Sequence, residues 1–303
     1  MPENPTSRSP TPRHVEWPTL ALTAVIYGGW IALTLLHRSI PPVVLASLGG
    51  WIVAWQGSLQ HETIHGHPTP WRRVNSAIGW PPLSLWLPYE RYRRSHLEHH
   101  ASEHLTHPDF DPEARYLPAG AGRWRRLLAG VQSPLAARLV LGPVLEIATF
   151  VAREIQRLAR GEGEVWRAWA AHAATVGVIW AWLHFACGLG LGKYLLCFVY
   201  PGVALSLIRS FAEHRAAGSP DARVAVVEHA PILGLLFLNN NLHAVHHAWP
   251  ELPWWKLPAR YRARRSEILS TNEGLVYAGY RDVFRRYAFR PHDVATHPLA
   301  EAA

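Results

Sequence analysis

The chain has 303 residues, about half of them apolar, with 15 tryptophans, 25 prolines and 19 histidines. Its net charge of +8 comes almost entirely from arginine. Together with the long uncharged segments described below, it indicates contact with membrane lipid and no binding of nucleic acid. The only two cysteines, Cys187 and Cys197, exclude a disulfide framework and an iron–sulfur cluster held by four thiolates.

The chain begins with a polar, proline-rich stretch, residues 1–16, which lacks the apolar core of a cleavable signal peptide. We predict a disordered cytoplasmic lead here. Residues 19–36 and 39–60 then carry no charge. Because a bilayer span needs about 20 apolar residues, both segments are predicted to be transmembrane helices. The alternative, buried helices of a large soluble protein, is disfavoured because a third run of this kind follows.

The second span leads directly into the motif "HETIH", residues 61–65. His61 and His65 are four positions apart and therefore share one face of a helix. Taken alone, the motif matches the zinc-peptidase signature H-E-x-x-H, in which Glu62 would be the general base. A zinc peptidase needs three protein ligands and an open position, and the histidines that follow are too many for such a site.

Residues 74–88, "VNSAIGWPPLSLWLP", form the next apolar stretch, which is broken by two prolines and predicts an interfacial or re-entrant segment. The motif "HLEHH" follows and places three imidazoles on one helical face: His96, His99 and His100.

An acidic segment, "HPDFDPE", comes after the second motif. Its carboxylates could orient metal-bound imidazoles by accepting their outer N–H groups. A solvated acidic turn is the alternative. The three residues concerned are Asp109, Asp111 and Glu113.

Two further spans are predicted near the middle of the chain. Residues 168–192 contain no acidic or basic residue apart from histidine, and residues 194–211 form a shorter apolar run with Pro201 inside it. His172 and His184 lie within the third span, where a polar side chain usually faces the bundle interior, and we expect them to make structural hydrogen bonds.

The placement of arginine predicts the orientation of these spans. Only Arg38 lies between the first two spans and only Lys193 lies at the turn between the last two, whereas residues 61–167 and the C-terminal tail are rich in arginine. By the positive-inside rule, the long segments and both termini are cytoplasmic. The predicted topology is two hairpins that enter the membrane from the cytoplasm.

The remaining histidines follow the fourth span. His214 comes just after it, and "HAVHH" supplies His243, His246 and His247. This third motif lies in residues 231–249, which we predict to form one helix on the cytoplasmic face, because a fifth span would bury its polar groups in lipid. Its asparagines, Asn239, Asn240 and Asn241, are predicted to cap the helix, with contact to the metal as the alternative.

Three histidine motifs and His214 on one side of the membrane are suited to two metal ions with several imidazoles each. Imidazole ligands leave iron, copper, nickel and zinc open. A histidine-rich metal transporter is disfavoured because the spans lack polar residues at the membrane midplane. We expect the nearby His67, His104 and His107 not to be ligands.

The motifs "HETIH", "HLEHH" and "HAVHH" resemble, as a set, those of the membrane fatty acid desaturase superfamily, which includes lipid hydroxylases and carotene ketolases. The resemblance covers roughly residues 50–260. It implies a non-haem di-iron centre, dioxygen as co-substrate and an electron donor that is a separate, ferredoxin-like protein. It further implies nine catalytic and metal-ligating residues: His61, His65, His96, His99, His100, His214, His243, His246 and His247.

The resemblance implies an integral protein of the cytoplasmic membrane, an oxidoreductase that desaturates a fatty acyl or lipid chain. Hydroxylation or ketolation of a lipid or carotenoid is the alternative, because both outcomes use the same ligands. In stearoyl-type members an asparagine four residues before the isolated histidine assists one iron. Here that position is Ser210, which puts the tenth ligand in doubt.

The expected fold is all-α, with four transmembrane helices in two hairpins and a cytoplasmic histidine-rich helical cap. The di-iron domain is predicted to occupy residues 17–260, and residues 261–303 are predicted to be a cytoplasmic tail.

Overall fold

A computed structural model describes residues 14–298; the predicted disordered lead lies outside the described residues except for its last three positions. The described chain forms two compact units. The first unit comprises residues 14–94 and 143–206, and the second comprises residues 95–142 and 207–298. The boundary between the units falls inside three of the helices named next.

The described chain is mostly helical. In chain order its α-helices are α1 Trp17–Leu35, α2 Pro42–Ile64, α3 Arg72–Gly79, α4 Tyr89–His100, α5 Arg123–Val131, α6 Leu135–Ala159, α7 Gly163–Ala181, α8 Leu191–Tyr194, α9 Tyr200–Ala212, α10 Leu233–Leu236, α11 His243–Ala248, α12 Leu257–Thr271 and α13 Tyr280–Tyr287. π-helical turns at Trp182–Ala186 and Leu195–Val199 continue α7 and α8.

The predicted helical character is confirmed, and a small parallel sheet in the second unit, which the sequence did not predict, adds to it. Strands β1 Val226–His229 and β2 Val276–Gly279 pair with Val226 opposite Val276. Each strand has only four residues, too few for an alternating pattern to stand out in the sequence. Residues 261–298, predicted as a tail, thus supply a strand and two helical segments to this unit.

Four helical stretches are long and apolar enough to cross a membrane: Trp17–Leu35, Pro42–Ile64, Leu135–Ala159 and Leu191–Ala212. The first, second and fourth correspond to predicted spans. Leu135–Ala159 was not predicted, because Arg138 and Glu146 interrupt its apolar sequence. Its exposed side chains include Val140 and Val144, which suits a face turned toward lipid.

The predicted third span, residues 168–192, is not among these four stretches. It corresponds to α7 and the π-helical turn after it, which ends at Ala186 with Cys187 as its C-cap, before Gly188 with φ +61°. The first turns of α7 carry Glu164 and Arg167, so its uncharged α-helical part covers residues 168–181 only. At about 1.5 Å per residue, this part is about 21 Å long.

Two of the predicted segments contain helix ends in the structure. Residues 231–249 form two short helices, α10 and α11, in place of the single predicted helix. Leu238 and Asn239 lie between them with φ of 50° and 56°, a left-handed conformation that ends a helix and that asparagine tolerates well. In residues 74–88, helix α3 ends at Gly79, two positions before Pro81.

Close helix packing in the first unit depends on glycines of α2. A Cβ atom added at Gly49 would lie 2.5 Å from the carbonyl oxygen of Cys197 and 2.8 Å from the ring of Phe198. Gly50 meets Pro201 in the same way, with 2.7 Å to its Cβ. Two backbones therefore approach each other at a distance that only glycine permits, as small residues do in membrane helix pairs.

Gly49→Ala is expected to lower the unfolding free energy by about 1–3 kcal/mol, because the new methyl group forces apart packed backbone. The check is the apparent melting temperature of the purified protein in detergent. Gly57→Ala is the matched control in the same helix, where an added Cβ meets nothing within 4 Å. Alanine there is expected to stabilise slightly, and equal melting temperatures for the two variants would disprove the packing argument.

Candidate metal centre

The first histidine motif lies at the C-terminal end of α2 in the first unit. His61 is in the last turn of the helix and His65 follows its last residue. Their ring centroids are 4.9 Å apart and both side chains are buried. The predicted shared face is therefore confirmed.

Seven of the predicted ligands lie in the second unit, where helices from distant parts of the chain bring them together. The second motif forms the last turn of α4, the third lies in α11, and His214 follows α9. The ring centroids of His100 and His247 are only 4.3 Å apart, with the rings stacked.

Four of these imidazoles form a compact group: His99, His214, His243 and His247. The Nε2 atom of His214 lies 3.1 Å from Nε2 of His99 and 3.0 Å from Nε2 of His243. Nε2 of His247 lies 3.1 Å from Nε2 of His243. One potential ligand atom from each of the four rings lies within 4.8 Å of the others, a spacing that suits a single metal ion.

Three other imidazoles of the second unit meet beside this group. Nε2 of His100 lies 3.1 Å from Nε2 of His96 and 3.1 Å from Nε2 of His246. His96 and His246 are buried and stack with their ring centroids 6.3 Å apart. These three residues form a second set of inward-facing nitrogen donors.

The outer ring nitrogens determine which tautomer each imidazole adopts. In three rings of the four-histidine group, Nδ1 faces an oxygen acceptor: Oδ1 of Asp111 at 2.8 Å from His99, Oδ1 of Asn240 at 2.9 Å from His243, and the carbonyl oxygen of Arg223 at 3.3 Å from His214. A neutral ring that donates through Nδ1 has a lone pair on Nε2. Three lone pairs therefore point at one another across about 3 Å, an arrangement that suits a cation between them.

The pKa values in this group favour a metal ion over protons as that cation. Burial, with the charge of the nearby His99, lowers the pKa of His214 to about 3. Burial, with the charge of neighbouring histidines, also lowers the pKa of His243 and His247 well below the usual value. Metal binding requires neutral imidazole, so these rings remain available as ligands at neutral pH and below.

His99 is the exception, because its pKa is raised. Burial acts to lower this pKa, but the hydrogen bond to Asp111 and the negative charge of Glu113 outweigh burial. A carboxylate behind a ligating imidazole makes the imidazole a stronger donor and holds its orientation.

Two of the three carboxylates in the acidic segment after the second motif contact motif histidines. Asp111 contacts His99, and the Glu113 carboxylate lies 3.3 Å from Nδ1 of His96. The pKa of Glu113 falls to about 2, because the charges of His96 and His99 outweigh the effect of burial. Asp109 is exposed and faces only His107, at 4.0 Å, so the prediction fails for this residue.

The asparagines before the third motif do not cap its helix, contrary to the prediction. Helix α11 has Leu242 at its N-cap position and no side-chain cap. Asn240 instead accepts from His243, whereas Asn239 donates to the carbonyl of Trp254 and Asn241 donates to that of Val227. The left-handed turn before α11 directs these amides away from the start of the helix.

Residues that the sequence did not single out support the acidic segment. The backbone N–H of Thr106 donates to Oδ2 of Asp111 at 2.8 Å, and Oγ1 of Thr106 lies 3.0 Å from Nε2 of the fully buried His297. Arg223 donates to the carbonyl of Leu105 at 2.6 Å. No local motif marks these residues, because His297 is 191 positions from Thr106.

The chain is similar in sequence to known proteins over the region that contains these histidines. The model of the family described as fatty acid desaturase matches residues 38–278, which include all three motifs and His214. The chain belongs to the fatty acid desaturase family. It is also 23% identical over 257 residues to a β-carotene ketolase of Paracoccus sp. (strain N81106 / MBIC 01143), a match that covers 80% of this chain and 91% of the ketolase.

Membership of the desaturase family, together with four apolar helices, identifies a membrane protein and an oxidoreductase of the desaturase, hydroxylase and ketolase type. The histidine cluster agrees with the di-iron sites for which this family is known.

Other histidines of this desaturase-family chain contact groups outside the two histidine sets. Nδ1 of His67 lies 2.8 Å from Glu16, and Nε2 of His172 lies 2.9 Å from the carbonyl of Leu85. His104 is exposed and contacts the ring of Phe110. Among the described residues, the groups of potential metal ligands include none of these, nor His107 or His184. Ser210 bonds the carbonyl of Leu207 in its own helix.

Proposed function

We propose that the nine motif histidines hold two iron ions. One ion is assigned to His99, His214, His243 and His247, whose nitrogens already face one another. The other is assigned to His96, His100 and His246, whose ring nitrogens meet in the second unit. His61 and His65 are the remaining two of the nine ligands that the resemblance to the family implies. The observation that carries this proposal is the set of Nε2 lone pairs turned toward one point, in a chain of the desaturase family.

When bound, the iron pair supplies the redox chemistry with dioxygen that removal of hydrogen from an unactivated C–H bond requires. The protein holds neutral imidazoles in one orientation through Asp111, Asn240 and the carbonyl of Arg223. Burial of these rings keeps water away from the centre. An apolar lipid chain is the substrate class that a membrane-embedded protein can present to such a centre.

Desaturation of a fatty acyl chain is the leading reaction. The test combines metal analysis of the purified protein with lipid profiles of cells that express the chain or the His243→Ala variant. Two irons per chain and a new double bond lost in the variant are the expected results. One zinc per chain with peptide cleavage would establish the peptidase alternative instead.

Ketolation of a carotenoid is the second candidate, favoured by the similarity to a β-carotene ketolase over most of that protein's length. Expression in cells that accumulate β-carotene separates the two reactions. Appearance of keto derivatives, with the fatty acid profile unchanged, would replace desaturation by ketolation and leave the metal assignment intact.

The electron donor is expected to be a separate, acidic, ferredoxin-like protein, because two buried cysteines cannot supply the four thiolates of a ferredoxin-type iron–sulfur cluster. Exposed arginines suit such a partner, since opposite charges raise encounter rates. Purified protein with NAD(P)H, dioxygen and substrate is expected to turn over only when a carrier and its reductase are added. Turnover without a carrier would refute this prediction.

We further propose that both termini are cytoplasmic and that two hairpins enter the membrane, with α7 as the third crossing. The four-residue connection from the end of the π-helical turn at Ala186 to the start of α8 makes the helices on either side antiparallel neighbours. Helix α6, which carries charged residues at intervals, then lies along the interface. Reporter fusions at residues 38, 161 and 303 test this: only the first is expected outside.

A further inference from the structure

Helix α5, Arg123–Val131, has no buried residue, although it carries a regular apolar stripe. Four large apolar side chains are 41–63% exposed: Trp124, Leu127, Leu128 and Val131. Their spacing of three, four and seven positions places them on one face, within an arc of about 100°. Nothing in the described chain covers this face.

Three arginines complete the helix surface. At about 100° per residue, Arg123 and Arg125 flank the apolar stripe on its two sides, and Arg126 lies opposite. All three are exposed, and the guanidinium of Arg123 lies over the Trp124 ring at 4.6 Å. Among the described residues, no ion pair is formed by any of the three. The helix thus combines an uncovered apolar face with uncompensated positive charge.

We propose that α5 lies in the membrane interface and binds anionic phospholipid head groups. Flanking arginines can extend to the phosphates while the apolar face enters the acyl boundary, the arrangement of interfacial amphipathic helices. The position in the chain supports a lipid partner: α6, an apolar helix with exposed Val140 and Val144, begins at Leu135, three residues after α5 ends. A protein partner would have no need of an apolar stripe that continues into such a helix.

The test uses the full chain in lipid nanodiscs, with a bimane label on Val131→Cys and a nitroxide on the lipid head groups. The parent chain gives the background, because Cys187 and Cys197 are buried. Quenching is expected to be at least about threefold stronger with phosphatidylglycerol present than in phosphatidylcholine alone, since each arginine gains from anionic lipid.

Two variants of the labelled chain identify the cause. R123Q/R125Q/R126Q is expected to remove the difference between the two lipid compositions, and L127Q/L128Q is expected to reduce quenching in both. Bound iron should stay unchanged in each variant, which separates this result from misfolding and from the metal assignment. Absent quenching, equal quenching in both lipids, or loss of quenching only on addition of the acidic electron carrier would each overturn the proposal.

Discussion

His214→Ala is expected to lower bound iron from two ions per chain to roughly one and to reduce turnover to background. Nε2 of this residue faces both His99 and His243, so its loss removes one of the four donors of a single ion. An imidazole-rich site with three ligands holds its metal less tightly and in a different geometry. Metal analysis by mass spectrometry and an activity assay on the purified protein measure the two effects.

The matched control is His104→Ala. This histidine follows the second motif by four residues, but it is exposed and its ring contacts only Phe110 among aromatic groups. It is expected to keep both irons and full turnover. The assignment of His214 as a ligand would be falsified if the His214 variant behaved like this control while its melting temperature stayed unchanged.

Asp111→Ala is expected to lower iron affinity by about 10–100-fold, the usual effect of losing a group behind a ligating imidazole. The Asp111 carboxylate accepts from Nδ1 of His99 and from the backbone N–H groups of Thr106 and Glu113. Removing it leaves these donors unpaired in a buried place, at about 1–3 kcal/mol each. A fall in melting temperature should therefore accompany the loss of iron.

A second variant separates the effect on His99 from the effect on folding. Asp111→Asn retains an oxygen for the backbone N–H of Thr106, while its amide N–H can face His99 and favour the wrong tautomer. Iron loss similar to that of Asp111→Ala, with a smaller fall in melting temperature, is the expected result. Asp109→Ala is the control, since its carboxylate is exposed and touches no motif histidine; if it lost iron as Asp111→Ala does, general charge and not orientation would explain the effect.

Thr106 and His297 extend the same chain of contacts into the C-terminal segment. The family match ends at residue 278, and His297 lies beyond it, yet its ring supports the threonine whose N–H holds Asp111. The proposed metal centre therefore receives support from a segment that the sequence predicted to be a tail.

The histidine motifs and the apolar helices could be recognised from the sequence alone, because both depend on short-range spacing. Histidines three or four positions apart share a helical face wherever that helix lies, and HETIH, HLEHH and HAVHH each satisfy this rule. Uncharged runs such as residues 19–36 likewise indicate a span through length and composition. Neither the histidine spacing nor the uncharged runs depend on the surroundings of these residues in the fold.

Only the tertiary structure decided which group lies against the outer ring nitrogen of each motif histidine. Asn240 and Asn241 are neighbours with the same side chain, but one faces His243 and the other donates to the carbonyl of Val227. Asp109 is exposed, whereas Asp111, two positions later, is buried against His99. The partners of these groups come from distant segments, and hydrogen bonding of buried polar atoms depends on distance in space, which periodicity along the chain does not encode.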